Sequence, residues 1–246
     1  MKKFLLGTVA LVALGATAPA LAADLAARPY TKAPAYAAPI YNWTGFYIGG
    51  HVGGAFAGDN SFAGLANNGN DGRFLGGVQG GADYQFAPNW VLGVEGQYSW
   101  LANNNNNNAV AFTGAGAGFL YNNNQRAIGS ATGRLGYTWG PGLLYVKGGY
   151  AWADTNDTLI FAGAPVAFTF DHSHRDGWTV GGGLEYMFAQ NWSGKIEYQY
   201  YDFGNSRFAT PAPLVAFGSF RNDEHTVKAG INYRFNFGGG PVVAKY

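Results

Sequence analysis

The chain has 246 residues with a formal net charge of +1; only 12% of them are charged, whereas 39 are Gly and 17% are aromatic. An average soluble domain is about 25% charged, and this chain has neither the basic footprint of a nucleic-acid-binding protein nor the cysteines of a disulfide framework or a Cys-ligated metal site. Because the mean hydropathy is nonetheless only −0.09, the composition indicates alternating apolar and polar residues, as in a β-barrel that sits in a membrane.

The first segment, residues 1–22, has the parts of a secretory signal peptide. Lys2 and Lys3 precede an apolar core that is too short for a membrane-spanning helix. The small residues Ala20 and Ala22 fit the A-x-A cleavage rule, so the mature chain is expected to start directly after Ala22. The leader predicts export to the envelope of a Gram-negative bacterium.

Residues 23–42 are rich in alanine and carry three prolines. A segment of this composition cannot bury enough apolar surface to offset the entropy lost on ordering. We therefore expect a flexible lead-in on the periplasmic side, followed by a barrel domain over residues 43–235 and a short tail over residues 236–246.

Within residues 43–235, apolar and polar residues alternate with period two in eight segments, which predicts eight strands. The last segment is the clearest, because Val227, Ile231 and Phe235 fall on one face while Lys228 and Arg234 fall on the other. The predicted strands cover about residues 43–57, 74–86, 92–100, 126–139, 143–155, 178–188, 192–201 and 227–235.

The connections between the predicted strands alternate between short and long. Short turns are expected at 87–89, 140–142 and 190–191, and long polar loops near 58–71, 103–125, 159–174 and 207–220. In outer-membrane barrels the short turns face the periplasm and the long loops face outward. An open sheet edge would leave backbone groups unsatisfied in hydrocarbon, so the sheet must close. The predicted fold is all-β, an eight-stranded antiparallel up-and-down transmembrane β-barrel.

Large aromatic residues gather where the strands meet the short turns. Amphipathic rings favour the headgroup zone of a bilayer, so these positions predict an aromatic girdle at the periplasmic interface. The girdle residues are Phe86, Trp90, Trp139, Phe188, Trp192, Tyr233 and Phe235.

If the apolar faces point to lipid, the opposite faces place four carboxylates and five basic groups in the lumen. An eight-stranded barrel is just wide enough for side chains to fill it, and buried charges must be paired. We expect Glu197 to pair with Lys228 or Arg234, and Glu185 with Lys195. A plugged lumen is favoured, and a narrow solute path with charged gates is the alternative. The expected network comprises Asp83, Glu95, Arg134, Lys147, Glu185, Lys195, Glu197, Lys228 and Arg234, with His51, Gln79 and Gln97 beside it.

The third long loop contains the best candidates for chemistry. His172 and His174 could share a metal with Asp176, or with Asp223, Glu224 and His225 if the loops approach, although a zinc site requires three or four fixed ligands. A hydrolase would need His172, Ser173 and Asp176 within hydrogen-bond reach, but adjacent residues of a strand point to opposite faces. No enzyme activity, metal or other cofactor is therefore predicted.

The opening motif Trp43-Thr44-Gly45-Phe46-Tyr47-Ile48-Gly49-Gly50 and the closing motif Val227-Lys228-Ala229-Gly230-Ile231-Asn232-Tyr233-Arg234-Phe235 carry a family resemblance. With the leader and the Ala/Pro segment, they resemble the small outer-membrane surface proteins of alphaproteobacteria, a porin family with an OmpA-like β-barrel. The tail after Phe235 departs from that pattern, so either Phe235 or Tyr246 could be the terminal aromatic that the assembly machinery reads.

The resemblance implies an abundant barrel that supports envelope integrity and displays surface loops. Some members of that family are credited with solute passage or haemin binding, so a narrow porin and a surface adhesin or haemin-binding protein remain alternatives. The expected partners are outer-membrane lipid, lipopolysaccharide and the barrel-assembly machinery, with no nucleic acid, and the chain is expected to be a monomer.

Overall fold

The computed structural model describes residues 41–57, 72–102, 109–112, 114–122, 125–172, 176–215 and 219–236. The expected signal peptide with Ala20 and Ala22, almost all of the lead-in, and the tail after residue 236 lie outside the described residues. The predicted boundaries of these segments therefore stay predictions.

The described residues are almost entirely β-strand. No helix among them is long and apolar enough to cross a membrane. The strands are β1 (Gly45–Ala57), β2 (Arg73–Ala87), β3 (Trp90–Leu101), β4 (Ala109–Ala111), β5 (Phe119–Asn122), β6 (Gln125–Trp139), β7 (Gly142–Thr155), β8 (Thr158–Phe161), β9 (Ala164–Val166), β10 (Thr169–His172), β11 (Asp176–Ala189), β12 (Trp192–Thr210) and β13 (Ser219–Asn236), with a 3₁₀ turn at Gly114–Gly116 and a short helix α1 (Ala212–Val215).

Eight of these strands form a closed antiparallel barrel. The order around the wall is β1-β2-β3-β6-β7-β11-β12-β13, and β13 pairs with β1 to complete the ring. The seam is continuous from Gly45 opposite Asn236 to Ala57 opposite Glu224. The predicted eight-stranded up-and-down barrel is thus confirmed.

The alternation in the sequence decides which face of each strand turns inward. On β12, Ile196 is 65% exposed on the outer wall, whereas its neighbour Lys195 is 3% exposed in the lumen. The same inversion holds on β3, where Val94 faces outward and Glu95 is buried. An apolar exterior around a polar interior is the arrangement that lipid requires of a barrel.

Aromatic residues mark both ends of the apolar outer wall. The seven predicted girdle residues lie on the strand ends next to the turns at 88–89, 140–141 and 190–191, six of them exposed and Tyr233 half-buried. Near the other end, Phe56, Trp100 and Trp178 are also exposed. Trp90 and Trp100 are ten residues apart, which corresponds to about 33 Å along the strand. At a strand tilt near 40° this length covers about 25 Å along the barrel axis. That height equals the thickness of the apolar band of an outer-membrane barrel.

The extracellular end contains more regular structure than the sequence predicted. The predicted loops at 103–125 and 159–174 contain strands, and β4-β5-β8-β9 form a separate four-stranded sheet. β12 and β13 also run past their predicted ends into the region assigned to the loop at 207–220. An apolar cluster packs in this part of the molecule, formed by Phe112, Tyr121, Leu159, Phe208 and Leu214.

Candidate functional site: the filled lumen

The side chains that alternation predicted to face inward meet in the middle of the barrel. All nine charged residues of the expected network are buried, and so are His51, Gln79 and Gln97. The charged residues project from seven of the eight barrel strands, namely β2, β3, β6, β7, β11, β12 and β13. His51 projects from the eighth strand, β1. Two groups of ion pairs can be distinguished by the type of base.

The first group pairs two arginines with two carboxylates near the periplasmic end. Arg134 forms a bidentate contact with Asp83, with Nε donating to Oδ1 over 2.7 Å, and it also reaches Glu185 over 3.2 Å. Arg234 contacts Asp83 as well, and its Nη1 lies 3.1 Å from Glu185. Each carboxylate is therefore shared between two guanidinium groups. Ser193 and Asn232 donate further hydrogen bonds to Glu185, over 2.5 Å and 2.9 Å.

The second group pairs three lysines with two glutamates above the arginines. Lys147 lies 2.8 Å from Glu95 and 2.9 Å from Glu197. Lys195 bridges the same two carboxylates, at 3.0 Å and 3.3 Å. Lys228 contacts Glu197 over 3.2 Å. Lys147 and Lys195 would each keep one glutamate in contact if the other glutamate were removed.

Neutral side chains donate further hydrogen bonds to the two glutamates of the second group. The Tyr47 hydroxyl donates to Glu95 and the Tyr145 hydroxyl to Glu197, each over 2.7 Å. The Gln97 amide donates to both glutamates over 2.9 Å. Arg134 lies 3.7 Å from Glu95 and joins the two groups into one network. Sequence reasoning did not name the two tyrosines, although Tyr47 shares the alternating face of His51 and Tyr145 that of Lys147.

The expected pairs differ in outcome. Glu197 and Lys228 are directly opposite on β12 and β13 and are in contact. Glu185 and Lys195 are also opposite each other on β11 and β12, but Glu185 pairs with the arginines and Lys195 with the other glutamates, so that expected pair was wrong. Arg234 likewise contacts Asp83 and Glu185 rather than Glu197. The long bases reach across the narrow lumen to partners on other strands instead of pairing with a neighbour.

An apolar layer closes the periplasmic end of the lumen. Trp43 is fully buried there and packs with Val91, Leu143 and Met187. Its indole nitrogen donates to the Gly140 carbonyl over 3.4 Å, in the turn between β6 and β7. That turn lies across the barrel from β1, so the Trp43 side chain spans the mouth. The sequence had placed Trp43 at the start of the first strand, whereas β1 begins only at Gly45.

A second apolar layer closes the lumen above the charges. It is capped by Arg73 of β2, which donates to the Gln125 carbonyl over 3.1 Å and lies 3.3 Å from Glu224 of β13. These contacts tie three non-adjacent strands together. The layer consists of Ala55, Leu75, Leu101, Ile128, Ala151, Ala153, Tyr201 and Phe203.

The candidate metal residues are only partly described. The backbone of His172 belongs to β10, while its side chain and the whole of His174 lie outside the described residues. Asp176 is exposed at the start of β11. Within the described ranges, no three His, Asp or Glu side chains are grouped as a metal site would require.

Several known outer-membrane proteins are similar to this chain in sequence or in structure. The family model described as the outer membrane protein beta-barrel domain matches residues 8–235. The chain is 30% identical over 253 residues to the 31 kDa outer-membrane immunogenic protein of Brucella melitensis, covering 96% of this chain and all of the relative. It is 28% identical over 209 residues to the 22 kDa outer membrane protein of Rhizobium leguminosarum, covering 80% of each. The crystal structure of Neisserial surface protein A aligns with 78% of this chain and 98% of its own, with a TM-score of 0.44 and 14% identity.

Proposed function

We propose that this chain acts as a closed, non-conducting barrel. It belongs to the outer-membrane β-barrel protein family and is located in the outer membrane of a Gram-negative bacterium. In this role the barrel strengthens the envelope and holds a folded sheet at the cell surface. The role requires no catalysis and no cofactor.

The observation that carries the proposal is the filling of the lumen at three levels. Trp43 and its neighbours occupy the periplasmic end, the ion-pair network the middle, and the layer around Leu75 and Phe203 the extracellular end. An ion crossing this lumen would have to shed water twice in apolar surroundings and displace paired charges between them. Both steps are costly at low dielectric.

The narrow-porin alternative requires a continuous aqueous path, which the two apolar layers oppose. An adhesin or haemin-binding role would be carried by the extracellular segments. The Brucella relatives are named as outer-membrane immunogenic proteins, and we propose on that basis that the extracellular segments of this chain are displayed at the cell surface. The apolar cluster around Phe208 supports a display role, because it gives those segments a core of their own.

The expected partners belong to the same proposal. The apolar outer wall between the two aromatic zones fits outer-membrane lipid, including lipopolysaccharide in the outer leaflet. Phe235 lies exposed near the end of β13, opposite Phe46 across the seam. We assign the terminal aromatic read by the assembly machinery to Phe235 on this placement, while Tyr246 lies outside the described residues.

Recording currents across planar bilayers tests the proposal. The purified full chain is reconstituted after its folded state is verified by heat-modifiable gel mobility, beside a porin of known conductance. We expect no discrete steps from the chain, and none from Trp90→Ala, a control that truncates an exposed indole outside the lumen. Stable steps from the folded wild-type chain would overturn the proposal in favour of the narrow porin.

A further inference from the structure

A groove in the outer wall crosses the seam at which the barrel closes. It has a volume of about 1050 Å³ and extends over four neighbouring strands, β12, β13, β1 and β2. The outward side chains that line it are apolar, and Ile48, Val78 and Ile231 among them are each more than half exposed. The described residues that line it include no Asp, Glu, Lys or Arg. The groove lies between the two aromatic zones, so hydrocarbon covers it.

The floor of the groove is at Gly50, in the middle of β1. Apart from its neighbours in the chain, a Cβ on Gly50 would meet nothing closer than a carbonyl oxygen of β2 at 3.6 Å. Four branched aliphatic side chains surround this position on the outer face, two along the strand and two on the neighbouring strands, namely Ile48, Val52, Val78 and Ile231. The missing side chain therefore leaves a pit that is open to the bilayer.

From this pit the groove runs toward the periplasmic end of the wall. Trp192 and Tyr233 of the periplasmic girdle line that end, with their ring centroids 5.2 Å apart. Tyr233 and Ala229, which also lines the groove, are four residues apart on β13. This separation corresponds to about 13 Å along the strand and about 10 Å along the barrel axis. One leaflet accounts for about half of the 25 Å apolar band, so the groove spans most of the periplasmic leaflet.

The position of the groove favours a lipid chain over a peptide segment as its occupant. A peptide would have to satisfy its backbone groups without water, and the strands beneath the groove already pair with each other on both sides. A hydrocarbon chain has no such groups. In the groove it touches carbon atoms on the floor and on both sides, whereas a flat wall offers contacts on one side only. The additional contacts provide dispersion energy that a flat wall does not.

We propose that the groove binds one acyl chain of a phospholipid from the periplasmic leaflet. The end of the chain lies in the pit at Gly50, and the headgroup lies beside Trp192 and Tyr233. The site recognises the chain and not the headgroup, because no charged side chain lines it. The bound chain lies across β13 and β1 and so covers the seam. This site depends on the location in the outer membrane and is independent of whether the lumen conducts.

Photo-cross-linking in phospholipid vesicles tests the position of the chain. The folded full chain is reconstituted with a phosphatidylethanolamine that carries one diazirine, either at the end of an acyl chain or next to its ester. Labelled peptides are identified by mass spectrometry. We expect the terminal diazirine to label the wall around Gly50 and the ester-proximal one to label it around Trp192. Labelling of Phe56 and Phe74, at the extracellular ends of β1 and β2, by the ester-proximal probe would overturn the assignment to the periplasmic leaflet.

Gly50→Leu tests the groove itself. The added side chain fills the pit from the lipid side, and heat-modifiable gel mobility verifies that the barrel is folded. We expect labelling of the groove by the terminal diazirine to fall about fivefold or more, since the chain loses roughly ten carbon–carbon contacts. Val78→Phe crowds the pit from the neighbouring strand and should have the same effect. The matched control is Gly148→Leu, at an exposed glycine in the middle of β7 on the opposite wall, which should leave this labelling unchanged.

Three outcomes would overturn the proposal. The first is labelling by the terminal diazirine that is spread evenly around the wall. The second is unchanged labelling of the groove in folded Gly50→Leu and Val78→Phe barrels. The third is a disulfide-linked dimer of Gly50→Cys that forms in place of lipid labelling, which would assign the groove to a second copy of the chain.

Discussion

The ammonium group of Lys195 and the carboxylate of Glu95 lie 3.0 Å apart, although they project from opposite walls of the barrel. Four strand steps separate β12 from β3 in either direction around the ring. An ion pair can span the lumen only because eight strands enclose so narrow a space. The two residues brace the barrel across its diameter, while the backbone ladder acts only between neighbouring strands.

Glu95→Ala should therefore destabilise the barrel strongly. The change leaves Lys147 and Lys195 with one shared carboxylate, and breaking a buried pair by removing one partner costs about 3–5 kcal/mol. The free energy of unfolding in urea, measured in lipid vesicles, reports the effect. Val94→Ala, the adjacent residue on the lipid face, is the matched control and should cost far less. Equal losses for the two variants would show that the network contributes nothing.

Trp43→Ala tests the periplasmic layer. Trp43 is fully buried against Leu143 and Met187, and truncating a buried tryptophan costs about 3–5 kcal/mol. Trp90→Ala removes the same side chain from the outer wall at the same end of the barrel and should cost less. The comparison uses unfolding midpoints in one detergent. A smaller loss for Trp43→Ala than for Trp90→Ala would mean that the layer is not packed as described.

Gly49→Ala and Gly50→Ala should behave in opposite ways although the residues are adjacent. A Cβ on Gly49 would collide with the Ile231 carbonyl and the Asn232 side chain across the seam between β1 and β13, whereas a Cβ on Gly50 meets nothing closer than 3.6 Å. Overpacking of this kind costs about 1–3 kcal/mol. We expect Gly49→Ala to lower the yield of folded barrel in a refolding assay and Gly50→Ala to leave it unchanged. Similar yields would argue against a tight seam.

An arginine scan of the outer surface should locate the membrane. Val94 is 63% exposed near the middle of β3, and arginine at the midplane of an outer-membrane barrel costs about 2–4 kcal/mol. Leu120, 38% exposed on the extracellular sheet, should accept arginine within about 0.5 kcal/mol. Unfolding free energies in lipid vesicles measure both. The assignment of the apolar band fails if Val94→Arg is as well tolerated as Leu120→Arg.

Alternation predicted the barrel and the inward-facing residues because period two fixes the face on which each side chain lies. It could not predict the ion-pair partners, because the face on which a residue lies does not determine how far its side chain extends across the lumen. Glu185 and Lys195 are neighbours on the lumen wall, yet each pairs with residues of other strands. Trp43 shares the alternating face of Tyr47 and His51, but it was missed as a plug because its burial depends on Leu143 and Met187, which are far from it in the sequence. Strands such as β4 and β9 are three residues long, too short to show a period, and they lie in segments whose Asn, Gly and Ala favour loops.

The placement of Arg234 and Lys228 on the last strand has a consequence for biogenesis. Before β13 arrives, the ion-pair network in the middle of the lumen holds the four acids Asp83, Glu95, Glu185 and Glu197 but three bases, Arg134, Lys147 and Lys195. A seven-stranded intermediate would thus carry an unbalanced negative charge facing an open gap. Unpaired charge and unpaired strand edges are both energetically unfavourable in the hydrocarbon interior of a bilayer. The bases that offset this negative charge arrive only with the final segment of the polypeptide, so release into the bilayer is energetically coupled to completion of the ring.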